Sequence, residues 1–111
     1  MNLPALTLAL ALVAAGGGGG GPELAGDRAY GAARYAEALV AYRQAADDNA
    51  PGRVWAKVGA AALHAGELRV SADAWRRLAA DDPTRVDEAA DGLEAVAREA
   101  DRRGDAAALQ D

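Results

Sequence analysis

A chain of 111 residues with a formal net charge of -5 has room for one small domain and offers no basic face for nucleic acid. It contains no cysteine, which removes disulfides, thiolate metal sites and a cysteine nucleophile together. Half of the residues are hydrophobic, mostly Ala and Leu with no Phe, and these helix formers predict an all-α protein with a thin core.

The front of the chain reads as an address. Residues 1–22 carry no charged side chain. Leu3 to Ala15 is an unbroken apolar run apart from Thr7. It falls short of the roughly 20 residues a membrane span needs and has the length of a signal-peptide core. Val13-Ala14-Ala15 sets small residues before a cut after Ala15, so residues 1–15 are predicted to be a signal peptide and the protein to be exported to the periplasm or cell envelope. Leu12-Val13-Ala14-Ala15-Gly16 also resembles a bacterial lipoprotein signal. Gly16 or Gly17 stands where the lipid-bearing Cys would be, so the resemblance implies an envelope address and membrane proximity through this segment, without acylation. Gly16 to Gly21 reads as a flexible linker, because glycine loses the most entropy on ordering. A phosphate-binding loop would need Lys and Ser or Thr after the glycines, and Pro22-Glu23-Leu24 follows instead.

Residues 22–111 form the predicted domain. The chain matches itself at a constant shift: Gly26 falls on Gly59, Tyr35 on Leu68, Ala38 on Ser71, Tyr42 on Trp75 and Ala45 on Leu78. That period, about 33 residues, has the length that signals a stacked helical array. A first helix is expected from about Glu23 to Ala32. A second, from about Tyr35 to Asp48, carries Tyr35, Ala38, Leu39, Tyr42 and Ala45 on one stripe. Asn49 to Gly52 breaks it, and Pro51 suits the first turn of a third helix that runs through Trp55, Val58, Gly59 and Ala62 to Ala65. Gly66 stops that helix. The fourth, about Leu68 to Ala80, sets Leu68, Ser71, Ala72, Trp75 and Leu78 on one face. Asp82 then caps a fifth helix with Pro83 in its first turn, continuing from about Thr84 to Arg103. Its stripe is Val86, Ala89, Ala90, Leu93, Val96, Ala97 and Ala100. Gly104-Asp105 ends it, and Ala106 to Leu109 begins a sixth.

The second unit resembles a tetratricopeptide repeat. Trp55-x-x-Val58-Gly59-x-x-Ala62 matches the opening of that motif, Gly66-x-Leu68 its turn, Ser71-x-x-x-Trp75 its second helix, and Asp82-Pro83 its close. The first unit matches in its second half, Tyr35-x-Glu37-Ala38-Leu39-x-x-Tyr42-x-x-Ala45, with Pro22 where Trp would sit. The third is out of phase, keeping Gly104-Asp105 after an over-long helix. The resemblance implies a short α-solenoid of antiparallel helix hairpins, about two and a half repeats, packed through these residues together with Pro83. It also implies a binding surface on the first helix of each unit. Asp27 and Tyr30 match that surface in the first unit, and Arg53, Lys57 and His64 in the second. Some family members hold a peptide carboxylate there with Asn and Lys; Lys57 is in place and the Asn is not.

No residue set points to catalysis, a cofactor or a metal. His64, the single histidine, has no companion ligands. Asp47-Asp48, Asp81-Asp82 and Asp87-Glu88 lack the calcium-loop pattern and read as helix ends, while Arg76-Arg77 and Arg102-Arg103 read as exposed. Ser71 and Thr84 have no base nearby in sequence. The expected function is therefore a protein or peptide interaction or assembly module of the bacterial envelope. The alternative is a structural end-piece of a longer solenoid, or a self-associating homo-oligomer, without its own ligand.

Overall fold

A computed structural model of the protein describes residues 21–104. The expected signal peptide at 1–15, the linker except Gly21, and the start of a sixth helix lie outside the described residues.

Within 21–104 the fold is all-helical. Its elements are α1 (Gly21–Gly31), α2 (Tyr35–Ala45), α3 (Gly52–Ala65), α4 (Leu68–Asp81), a 3-10 turn (Pro83–Arg85) and α5 (Val86–Arg103). Each helix packs on its neighbours in chain order, and α5 also reaches α3.

Two of the chain's reversals, and the end of α5, use left-handed backbone. Ala33 has φ 61°, Gly66 has φ 85° and Gly104 has φ 68°. Glycine adopts this region freely, whereas Ala33 carries a Cβ penalty there. At the first reversal the Arg34 N–H donates to the Ala29 carbonyl, and at the second the Glu67 N–H donates to the Ala62 carbonyl, so each turn satisfies a carbonyl the helix leaves open.

Several helix ends differ from the expected ones for local reasons. Gly21 is the first residue of α1 and not part of the linker. α2 stops at Ala45, because the Asp47 carboxylate accepts the Asn49 N–H and offers the backbone an alternative to another helical turn. Pro51 sits one place before α3, in extended conformation, instead of inside its first turn. Asp82 does cap, but it caps the 3-10 turn: its carboxylate accepts from the Thr84 N–H at 3.2 Å and from Thr84 Oγ1 at 2.6 Å. That turn delays α5 to Val86.

The core has two lobes. One gathers Ala29, Ala38, Leu39, Tyr42, Val58, Ala61, Ala62 and Ala74. The other gathers Ala56, Leu68, Ala72, Trp75, Leu78, Ala89, Val96 and Ala100. Trp55, half-buried, packs against both. Among the repeat residues, Gly59 is buried within α3, while Tyr35, Ala45 and Gly66 are only partly covered. Pro83 is exposed, since the 3-10 turn carries it outward. On α5 the buried stripe is Ala89, Gly92, Val96 and Ala100. Val86, Ala90 and Ala97 are exposed, contrary to the broader stripe read from the sequence, because among the described residues α5 meets its neighbours along one narrow face.

Glycine permits the closest approaches. A Cβ on Gly26 would run into the Tyr42 ring, and a Cβ on either Gly59 or Gly92 would run into the Trp75 indole. Trp75 is therefore clasped between α3 and α5. Gly26, Gly59 and Gly92 stand one repeat period apart, so the third unit, expected to be out of phase, keeps the period at its packing glycine. It departs later: Glu99 occupies the place equivalent to Gly66, and without a glycine there α5 runs on for 18 residues. The buried Ser71 hydroxyl donates to the Gly59 carbonyl at 2.7 Å, which satisfies this buried polar side chain and ties α4 to α3.

Candidate functional site: a groove between the first, third and fifth helices

A hollow of about 490 Å³ opens between α1, α3 and the start of α5. Ala56 and Ala60 of α3 leave its base low. Tyr30, Tyr42 and Trp75 supply aromatic surface, and Arg85 and Glu88 close its far side, paired to each other at 2.8 Å.

A polar network joins α1 to α3 along the near side. The Arg53 guanidinium donates to both Glu23 carboxylate oxygens, at 2.9 and 3.0 Å. Lys57 Nζ reaches Glu23 Oε2 at 2.8 Å and Asp27 at 2.9 Å. The Tyr42 hydroxyl donates to Asp27 Oδ1 at 2.7 Å, bringing α2 into the same network. Glu23 lies at its centre with a side chain only 13% exposed. The hydrogen bonds from Arg53 and then Lys57 pull its carboxyl down to about 2. Burial alone would lower the Lys57 ammonium, but its bonds to Glu23 and Asp27 outweigh that and hold it above the ordinary lysine value. Burial first, and the bond to Asp27 second, push the Tyr42 phenol upward.

The residues expected to bind a partner divide between two places. Asp27, Tyr30, Arg53 and Lys57 line the groove. His64 does not. It lies at the last turn of α3 and stacks on Tyr35, ring centroids 4.5 Å apart and planes 22° apart, with Tyr30 meeting Tyr35 edge-on at 5.2 Å. The carboxylate clamp implied for Lys57 meets a physical obstacle, because its ammonium already serves two carboxylates of α1. Sequence reasoning overlooked Glu23, the hub of the network. A clue was present: Glu23 precedes Asp27 by one helical turn, and it lies 30 and 34 residues before Arg53 and Lys57, close to one repeat.

A second hollow, about 450 Å³, lies between α2, α3 and α4. Arg77 forms part of its wall and sets its guanidinium over the Trp55 ring at 4.6 Å. Arg77 is therefore half-covered and not a freely solvated arginine. Among the described residues no cluster of three His, Cys, Asp or Glu is placed to hold a metal, and no helix is long and apolar enough to cross a membrane.

No family model, curated protein or solved structure matches this chain.

Proposed function

We propose that the protein is a tetratricopeptide-like interaction module of the bacterial cell envelope, exported by residues 1–15, that binds a protein or peptide segment in the α1–α3–α5 groove. The observation that carries this reading is the groove's composition. Aromatic faces stand beside a floor of two alanines, and the charges around them are already paired with one another. Such a surface favours a segment that presents small apolar or aromatic side chains and carries little net charge, since a charged guest would have to break existing ion pairs. The internal repeat and the glycine–aromatic contacts support the solenoid part of the reading. We assign it no catalytic role, no cofactor and no nucleic-acid partner.

The test is selection of displayed random peptides on the full chain, with an Ala60→Trp variant as the filled-groove control. Peptides enriched for apolar and aromatic residues, with binding lost in the variant, are the expected result. Equal enrichment on both proteins would overturn the groove as the binding site. Export is tested separately by fractionation and mass in a Gram-negative host. A periplasmic chain starting near Gly16 is expected, and a full-length cytoplasmic chain would overturn the signal reading.

A further inference from the structure

The second hollow, between α2, α3 and α4, shares no lining residue with the groove. It opens onto the first lobe of the core. Trp55, Val58 and Val70 give it apolar surface, and Ala46 and Ala74 are small enough to leave about 450 Å³ between the helices. Small-molecule sites commonly have about 300–1,000 Å³.

The charged groups in this lining are few and mostly basic. Arg43 enters from α2 and Arg77 from α4. Asp73 is the one acid among the lining residues, and Arg76 holds it at 3.1 Å. Arg43 is exposed and has no ion-pair partner among the described residues. Arg77 is fixed in place yet keeps donors in reserve. Its guanidinium lies over the Trp55 ring, its Nε donates to Asp81 at 2.6 Å, and its Nη2 faces the almost fully exposed Asp48 at 3.5 Å. A guanidinium has five N–H groups, so Nη1 is left without an acceptor. Lys57 in the groove has no such surplus, because its three N–H groups are shared between Glu23 and Asp27.

We propose that this hollow binds a small monocarboxylate with a compact apolar body. The carboxylate sits between Arg43 and Arg77, and the body lies on Trp55, Val58 and Val70. Stacking on Trp55 holds the Arg77 plane in advance, so little freedom is lost when the guest arrives. A cation meets two arginines, and a neutral guest leaves Arg43 unanswered. A second negative charge on the guest would fall on the apolar floor, which cannot solvate it. Asp81 and Asp48 temper the charge of Arg77, so Arg43 carries the larger share of the attraction. An open site of this kind holds its guest with a dissociation constant on the order of 1 mM.

Nuclear magnetic resonance titration of the isotope-labelled full chain with naphthylacetate is the test. Saturable shifts of the Trp55 indole N–H and of the Val58 and Val70 amides are expected, with the Trp75 indole unmoved. A Trp75→Phe variant assigns the two indole signals. Arg43→Gln should weaken binding about tenfold, and Asp73→Asn should tighten it about twofold by removing the opposing charge. Naphthaleneethanol and naphthylmethylammonium carry the same body without the negative charge, and each should bind at least about tenfold more weakly. Absence of any shift at about 10 mM acid overturns the proposal. So does equal binding of the three compounds, or binding that survives Arg43→Gln unchanged. Movement of the Trp75 indole in place of Trp55 would overturn it too, by putting the guest in the groove. The groove reading stands or falls separately, since the two sites have no residue in common.

Discussion

The two joins between helices of the groove use one scaffold and opposite chemistry. Where α1 meets α3, the contact positions on α1 are Glu23 and Asp27, tied to Arg53 and Lys57. The same positions one period later are Ala56 and Ala60, and a further period on Ala89 and Leu93, so the α3–α5 join is apolar and built on Trp75. Area removed from water holds the second join, without any ion pair to titrate or screen. The first depends on geometry, because the cost of partly burying its charges is offset only while each finds its partner. The protein therefore has one robust end and one end tunable by pH and salt.

Substitutions that separate the two ends sharpen this contrast. The largest effect is expected at the apolar join: Trp75→Ala should cost about 3–5 kcal/mol in urea unfolding, because it empties a slot shared by α3 and α5. Gly92→Ala should cost about 2 kcal/mol net, despite alanine's better helix propensity, since the new methyl would displace the indole. At the ionic join, Lys57→Met should cost about 1–2 kcal/mol by leaving Glu23 and Asp27 short of a partner, and its effect should shrink in about 1 M NaCl. The pH dependence follows from the Glu23 carboxyl, held near 2 in the fold against an ordinary 4.5. A depressed carboxylate contributes its full stabilisation above the unfolded value and loses it as pH falls from about 4.5 toward 2. Amide hydrogen exchange should show α1 and α2 opening first in that window, and Glu23→Gln should flatten the change. The smallest effect is a gain: Ala33→Gly should stabilise by roughly 0.5–1 kcal/mol, because it relieves a side chain held at positive φ. If thermal melts find it neutral, the first turn carries no strain.

The helices were legible in the sequence because their apolar period is strong and their stops are chemical: Gly66 and Gly104 both turn in the left-handed region. The less regular junctions were harder. Nothing in Asp47-Asp48-Asn49 shows in advance that a side chain outcompetes the next helical turn, and the 3-10 turn at Pro83 depends on a cap formed only when folded. On α5, periodicity gave a stripe twice too wide, since alanine suits a buried face and an exposed one equally. The groove was half legible. Asp27, Tyr30, Arg53 and Lys57 fall on matching helical positions, but the pairing that ties them to Glu23 spans two hairpins and needs their relative placement. Gly92 stands at the same repeat spacing as Gly26 and Gly59, yet the late end of its helix hides the match.

The clasped indole has a use at the bench. Neither indole Nε1 finds an acceptor among the described residues, but the two rings differ in surroundings: Trp75 is 7% exposed and held between glycines, whereas Trp55 sits beneath the Arg77 guanidinium and spans both lobes of the core. Indole emission shifts to the blue in dry surroundings and is sensitive to a nearby cation. The molecule thus carries two optical gauges, one reading separation of α3 from α5, the other reading the seam between the lobes. A Trp55→Phe variant would leave the first alone in the spectrum, and a Trp75→Phe variant the second, so the order in which the two ends come apart can be watched without any added label.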